Sequence, residues 1–251
     1  MMTRKIIINP RYAHLKDFVE HIPERFLSEG ECIYDARNKI KVFAERDIKL
    51  NVKRYCIPII FNRLAYMYLR KPKAVRAYSY ALKLRTLHID TPEPIAYILE
   101  KEQGLLGYSY FISLQVPYSR RFYEFGEASM TAENQRILEA FGRFTACLHQ
   151  SEVYHQDYSP GNILFDVLQG KPEFCIVDIN RMKFGPVSFR KGCANFARLW
   201  GPKEMFRHIA REYASQRGFD EDRTLREILK IRRRYWKKAI RKHPAEFPLE
   251  L

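Results

Sequence analysis

The sequence predicts an α+β protein built as one bilobal domain, with a β-rich lobe over residues 1–117 and a mainly helical lobe over residues 118–251. Three observations carry this prediction. Short β-rich runs crowd the stretch from Glu31 to Val116. Helical spacing of apolar residues takes over after Thr131. A chain of 251 residues, 46% hydrophobic and 29% charged, has ample material for a core and is too apolar for disorder.

In chain order, ECIYDA, KIKVFAE and IKLNVKRY are separated by breaks at Arg37-Asn38 and Arg46-Asp47 and read as an antiparallel meander. A helical segment from Lys73 to His88 is stopped by Thr91-Pro92-Glu93-Pro94. IAYILEK and YSYFISLQV, joined by a QGLLG turn, add two strands, so the first lobe is expected to hold five strands with one helix after the third. The character changes past Val116-Pro117. Thr131 is a suitable N-cap for a helix carrying Ile137, Leu138, Phe141, Phe144 and Leu148 on one side. ILFDV and FCIVDI flank a turn at Gly170-Lys171-Pro172 and predict a small hairpin. From Gly192 the chain reads as helical to its end. On the last helix Leu225, Ile228, Tyr235, Trp236 and Ile240 form an apolar stripe that leaves Arg232, Arg233, Arg234, Lys237 and Lys238 outside.

The net charge of +15 and a pI near 9.6 call for an anionic partner: nucleic acid, a membrane face, or a phosphorylated or carboxylated substrate. No nucleic-acid motif accompanies the charge, which argues against the first. The five cysteines are scattered and form no C-x-x-C, as expected for reduced thiols in a cytoplasmic protein. Three isoleucines near the N-terminus are too few for a signal peptide, and no apolar run approaches the roughly 20 residues that cross a bilayer. A soluble protein is expected, one that can still lie against the cytoplasmic face of a membrane. Its charge is uneven: from Arg54 through Ile89 there is no Asp or Glu, while Arg54, Arg63, Arg70, Lys71, Lys73, Arg76, Lys83 and Arg85 fall in that stretch.

The chemistry-bearing segment is His155-Gln156-Asp157-Tyr158-Ser159-Pro160-Gly161-Asn162, followed after the hairpin by Ile176-Val177-Asp178. Phosphoryl transfer needs a carboxylate to orient and deprotonate a hydroxyl, and oxygen ligands to hold Mg²⁺ on the nucleotide phosphates. Asp157 suits the first role, with Asn162 five residues on and Asp178 at the end of an apolar strand suiting the second. The H-x-D-x-x-x-x-N spacing is the catalytic-loop signature of the protein-kinase-like fold. Lys53, in LNVKRY, then becomes the candidate for the lysine that touches the ATP phosphates. There is no glycine between Gly30 and Gly104, so the Asp35 to Lys39 turn stands where a G-x-G-x-x-G loop would cover the phosphates. The acid-free stretch also removes the Glu that usually pairs with this lysine.

LHQSEVYHQDYSPGNILF, VDINRM, VKRY and the TPEPIAY segment together resemble the bacterial lipopolysaccharide core kinases that act on Kdo and heptose, over about Lys49 to Leu199. The resemblance implies an ATP- and Mg²⁺-dependent kinase with Asp157 as catalytic base, Asn162 and Asp178 as Mg²⁺ ligands and Lys53 on the ATP phosphates. It further implies an anionic glycolipid acceptor at the cytoplasmic face of the inner membrane. Asn180 stands where a protein kinase has the Gly of Asp-Phe-Gly, and no Ala-Pro-Glu follows, which argues against a protein acceptor gated by an activation loop. Two alternatives share the motif. A kinase of the aminoglycoside or choline type would act on cationic acceptors, against the basic balance of this chain. A non-catalytic kinase-like binding protein would account for the missing Glu.

Overall fold

Period-2 alternation in the N-terminal region resolves into a single antiparallel sheet in the computed structural model, which describes residues 2–61, 63, 66, 70–241 and 249–250. Its strands are β1 (Met2–Ile8), β2 (Glu31–Asp35), β3 (Lys39–Glu45), β4 (Ile48–Tyr55), β5 (Pro94–Glu102) and β6 (Leu105–Leu114), in the order β1-β5-β6-β4-β3-β2. The meander and the second hairpin are those the sequence predicts. The expectation of five strands is corrected to six, because Met2–Ile8 pairs antiparallel with β5 from Met2↔Glu102 to Ile8↔Ala96. A helix before the meander, α1 (Lys16–Ser28), also goes beyond the sequence expectation. It buries Phe18, Val19, Ile22 and Phe26 against Leu50, Val52, Ile98, Tyr110 and Ile112 of the sheet. Four such side chains leaving water contribute about 1.5–3 kcal/mol each, so α1 is held by packing and not by its own propensity.

The helix α2 (Lys73–Thr86) begins at Lys73 as predicted and buries Ala74, Ala77, Tyr78, Ala81 and Leu84. It packs on the sheet through an edge-to-face contact of Tyr78 with Tyr97, ring centres 5.3 Å apart. Alternation along β4 therefore sends Leu50 and Val52 towards α1 and sends Lys53 to the other face, between Ile40 and Phe111 in the neighbouring strands.

The chain divides between Pro117 and Tyr118 into two units. In the second, α3 (Ala132–Gln150) starts at Thr131, whose Oγ1 accepts from the Asn134 amide at 3.2 Å. After the two-residue strand β7 (Arg120–Arg121) and β8 (Val153–His155), the predicted hairpin is β9 (Ile163–Leu168) and β10 (Lys171–Ile176). Its turn centres on Gln169 and Gly170, both at positive φ, as a two-residue connection matched to strand twist requires. Phe122, Phe125, Phe141, Phe165 and Phe174 fill the space between hairpin and helix.

A strand β11 (Met182–Phe184) pairs antiparallel with β8, and three helices follow: α4 (Phe189–Asn195), α5 (Lys203–Arg217) and α6 (Glu221–Ala239). The expectation of continuous helix from Gly192 is corrected: the chain breaks at Gly201 and Pro202 and again at Gly218, which takes the left-handed conformation at φ 64. The last part of that expectation, residues 242–248, lies outside the described residues. The basic face of α6 is corrected as well. Arg232 is 1% exposed and donates to the carbonyls of Leu199 and Gly201, with burial pushing its pKa down to about 10. Tyr235 and Trp236 are only half-buried.

Candidate active site

Two short antiparallel pairings set up the site. The β8–β11 ribbon places the loop after His155 beside the turn that begins at Asp178, while the β9–β10 hairpin aligns Ile163 with Ile176. One step beyond that pair, the Val177 amide donates to the Asn162 carbonyl at 3.0 Å. Asp157, Asn162 and Asp178 thus stand on adjoining loops of one unit, their backbones tied by sheet hydrogen bonds.

His155 locks the two loops together. It is fully buried, with Nδ1 accepting from the Asp157 amide and Nε2 facing the Val177 carbonyl, each at 3.0 Å. An Nδ1 that accepts leaves the proton on Nε2, so the neutral ring satisfies both contacts. Burial pushes the pKa of this histidine down, consistent with that neutral form. The Asn195 side chain donates its Nδ2 to the His155 carbonyl at 2.9 Å and accepts from His149 Nε2 on its Oδ1 at 2.8 Å, anchoring α4 to the same strand.

Asn162 donates its Nδ2 to the Asp157 carbonyl at 2.8 Å. Its Oδ1 is thereby turned into the free acceptor of a pre-oriented amide. Asp178 lies at φ 53, ψ 43, a left-handed conformation that Asp tolerates better than most residues and that commonly marks functional turns. Asn180, 5% exposed, donates to Asp178 Oδ1. A glycine at Asn180, as in Asp-Phe-Gly, would supply no such donor.

These oxygens form a hard donor set suited to Mg²⁺. Among the described residues no three His, Cys, Asp or Glu side chains converge on one point. Mg²⁺ commonly takes one or two protein oxygens and completes its shell with phosphate and water. Asn162 and Asp178 would hold it.

The Asp157 carboxylate is 22% exposed and flanked by two guanidiniums. Arg198, on the short turn Phe196–Arg198 after α4, donates to Oδ1, and Arg181 lies 3.5 Å from Oδ2. Arg198 also lies over the Tyr235 ring, 5.6 Å from its centre. Sequence reading gave neither arginine a role. Arg181 follows Asp178 closely enough to have been noticed; Arg198 is 41 residues from Asp157 and has no local signal.

Lys53 belongs to the first unit. It is half-buried on β4, with Nζ 5.4 Å from the centre of the Tyr55 ring. At the turn between β2 and β3, Lys39 pairs with Asp35 at 2.6 Å.

Residues 37–200 match the lipopolysaccharide kinase (Kdo/WaaP) family, nearly two thirds of the chain and all of the motifs above. The chain belongs to that family. As a lipopolysaccharide kinase it is a phosphotransferase that uses ATP. Among solved structures, the chain is similar to that described as "WaaP in complex with acyl carrier protein", with a TM-score of 0.64 at 13% identity, covering 95% of this chain and 99% of that one. At that identity the likeness speaks for the kinase-like fold alone, and it does so over both units of this lipopolysaccharide kinase. No curated protein matches the sequence.

Proposed function

We propose that this kinase transfers the γ-phosphoryl group of ATP to a sugar hydroxyl, of Kdo or heptose, in the inner core of lipopolysaccharide. Asp157 accepts the hydroxyl proton as the acceptor oxygen bonds to phosphorus and the bond to the ADP oxygen breaks. Asn162 and Asp178 would hold Mg²⁺, which would supply neutralising charge on the nucleotide phosphates, and Lys53 would serve as the lysine for the ATP phosphates. Residues 1–117 act as the nucleotide-binding lobe and residues 118–251 as the catalytic and acceptor lobe. The enzyme works peripherally at the cytoplasmic face of the inner membrane, where the anionic glycolipid is reached.

The observation that carries this reading is the hydrogen-bonded frame around His155, which fixes the loop of Asp157 and Asn162 against the strand leading to Asp178. That the α2 sequence carries no Asp or Glu does not touch that frame. The test is incubation with radiolabelled ATP, Mg²⁺ and a panel of truncated lipopolysaccharides, with mass spectrometry locating the added phosphate. The Asp157→Ala variant is expected to lose at least about a hundredfold in transfer while still binding ATP. Undiminished turnover by that variant would remove Asp157 from the mechanism.

A further inference from the structure

Two cations on one general base pose a chemical problem. Arg198 and Arg181 face the two carboxylate oxygens of Asp157, the same oxygens that the acceptor hydroxyl has to reach. As a structural staple the arrangement achieves little. With Asp157, Arg198 and Arg181 at 22%, 36% and 52% side-chain exposure, solvent screens ion pairs of this kind and they add little stability.

The guanidiniums are, however, well placed for another task. Each can be reached from solvent, each has donors beyond the one facing Asp157, and Arg198 is steadied by the Tyr235 ring from α6. A guanidinium fork matches a carboxylate or a phosphate with two parallel hydrogen bonds, and such a contact is stronger than a single charge pair. Any anionic group presented beside the reacting hydroxyl would compete with Asp157 for them.

We infer that Arg198 and Arg181 are the receptor for a carboxylate or phosphate on the acceptor sugar, and that binding of this group draws them from Asp157 and frees the base. The acceptor would then carry its negative charge within about one sugar ring of the hydroxyl that is phosphorylated. A neutral sugar could enter but would leave Asp157 paired. This inference rests on Asp157 being the base and names the class of acceptor that the site selects.

NMR titration of the full chain tests it with four probes: free Kdo, its carboxyl-reduced derivative, mannose 6-phosphate and mannose. The wild type should bind at least one charged sugar about tenfold or more tightly than its neutral counterpart, and the pair that shows the preference identifies carboxylate or phosphate. Arg198→Gln should erase most of the preference, while Arg198→Lys should keep part of it because the charge remains and the fork is lost. Arg181→Gln, a substitution of a half-exposed side chain, gives a second reading should Arg198→Gln fold poorly, and circular dichroism melting checks each variant. No charge preference in the wild type, or one that survives in both glutamine variants, overturns the inference. Charge-dependent binding in a wild type that phosphorylates no lipopolysaccharide would support the arginine receptor and instead count against the acceptor assignment.

Discussion

Two buried histidines carry much of the acid sensitivity expected of the second unit. His149 hydrogen-bonds Tyr213 through Nδ1 and Asn195 through Nε2, and burial pushes its pKa down to about 4, with Arg217 and Lys191 adding to the depression. His155 is pushed down as well, again by burial. A histidine whose folded pKa lies below its unfolded value of about 6.5 binds fewer protons in the folded state. Its contribution is therefore whole above pH 6.5 and is lost as the pH falls towards the folded value. For His149 alone the loss across that window is roughly 3 kcal/mol. Urea unfolding at pH 7.5 and at pH 5.0 is expected to show a clear fall in stability, and His149→Gln should reduce the size of that fall by about 2 kcal/mol, since pH 5.0 lies about 1.5 units below the unfolded pKa. An undiminished pH dependence in the variant would mean that other groups carry it.

Helix packing makes an opposite demand on a residue that local propensity would replace. Alanine is normally about 1 kcal/mol better than glycine inside a helix. At Gly142 on α3, a Cβ would meet the Ile209 carbonyl of α5 at 2.6 Å and Glu212 Cβ at 3.1 Å. The obstructing atom is backbone, so the helices themselves must part, and overpacking of this kind costs about 1–3 kcal/mol. Gly142→Ala is expected to lower Tm by several degrees, at about 2–4 °C per kcal/mol for a chain of this size, whereas a Tm raised by the helix propensity would show that the contact is loose. The same contrast between local and long-range cause explains which elements were legible. The meander β2–β4 and the cap at Thr131 follow from alternation and from one hydroxyl. Strand β1 is mostly exposed and carries Thr3, Arg4 and Lys5, so it shows no apolar alternation, and its place comes from pairing with β5, some 90 residues away. Helix α1 has Phe18, Val19, Ile22 and Phe26 at helical spacing, but Pro23 interrupts the pattern. At the site, the nearness of the segments carrying Asp157, Asn162 and Asp178 was legible because a short loop and a hairpin set it locally. Arg198 and Arg232 were not, since a through-space ion pair and a buried guanidinium on carbonyls leave no mark in neighbouring residues.

Over the whole molecule, the charge of +15 has to be reconciled with a lipid-borne acceptor and with the absence, among the described residues, of any helix long and apolar enough to cross a membrane. The acid-free stretch shows where charge and apolar surface coincide. Some of its cations are engaged within the first unit: Arg54 lies over Phe26 and Tyr108, Arg76 is buried, and Arg85 reaches Asp90 and Glu93 beyond the stretch. Arg70 and Lys71 are exposed. In the same stretch Ile59 is 68% and Phe61 78% exposed, with Ile57 and Ile60 also open to solvent. An apolar segment among basic residues suits an anionic leaflet, each large side chain gaining up to about 1.5–3 kcal/mol on full insertion and each nearby cation about 1 kcal/mol. Salt and substitution separate the two contributions, because ions screen exposed charge and leave hydrophobic insertion intact. Cosedimentation should show binding to phosphatidylglycerol-containing vesicles and little to phosphatidylcholine, with partial loss as salt is raised towards 1 M, where the Debye length is about 3 Å. The double substitution Ile59→Ser and Phe61→Ser is expected to weaken vesicle binding by about tenfold or more while Tm stays unchanged, since both side chains are exposed. Vesicle binding equal to that of the wild type would place the membrane contact elsewhere on the protein.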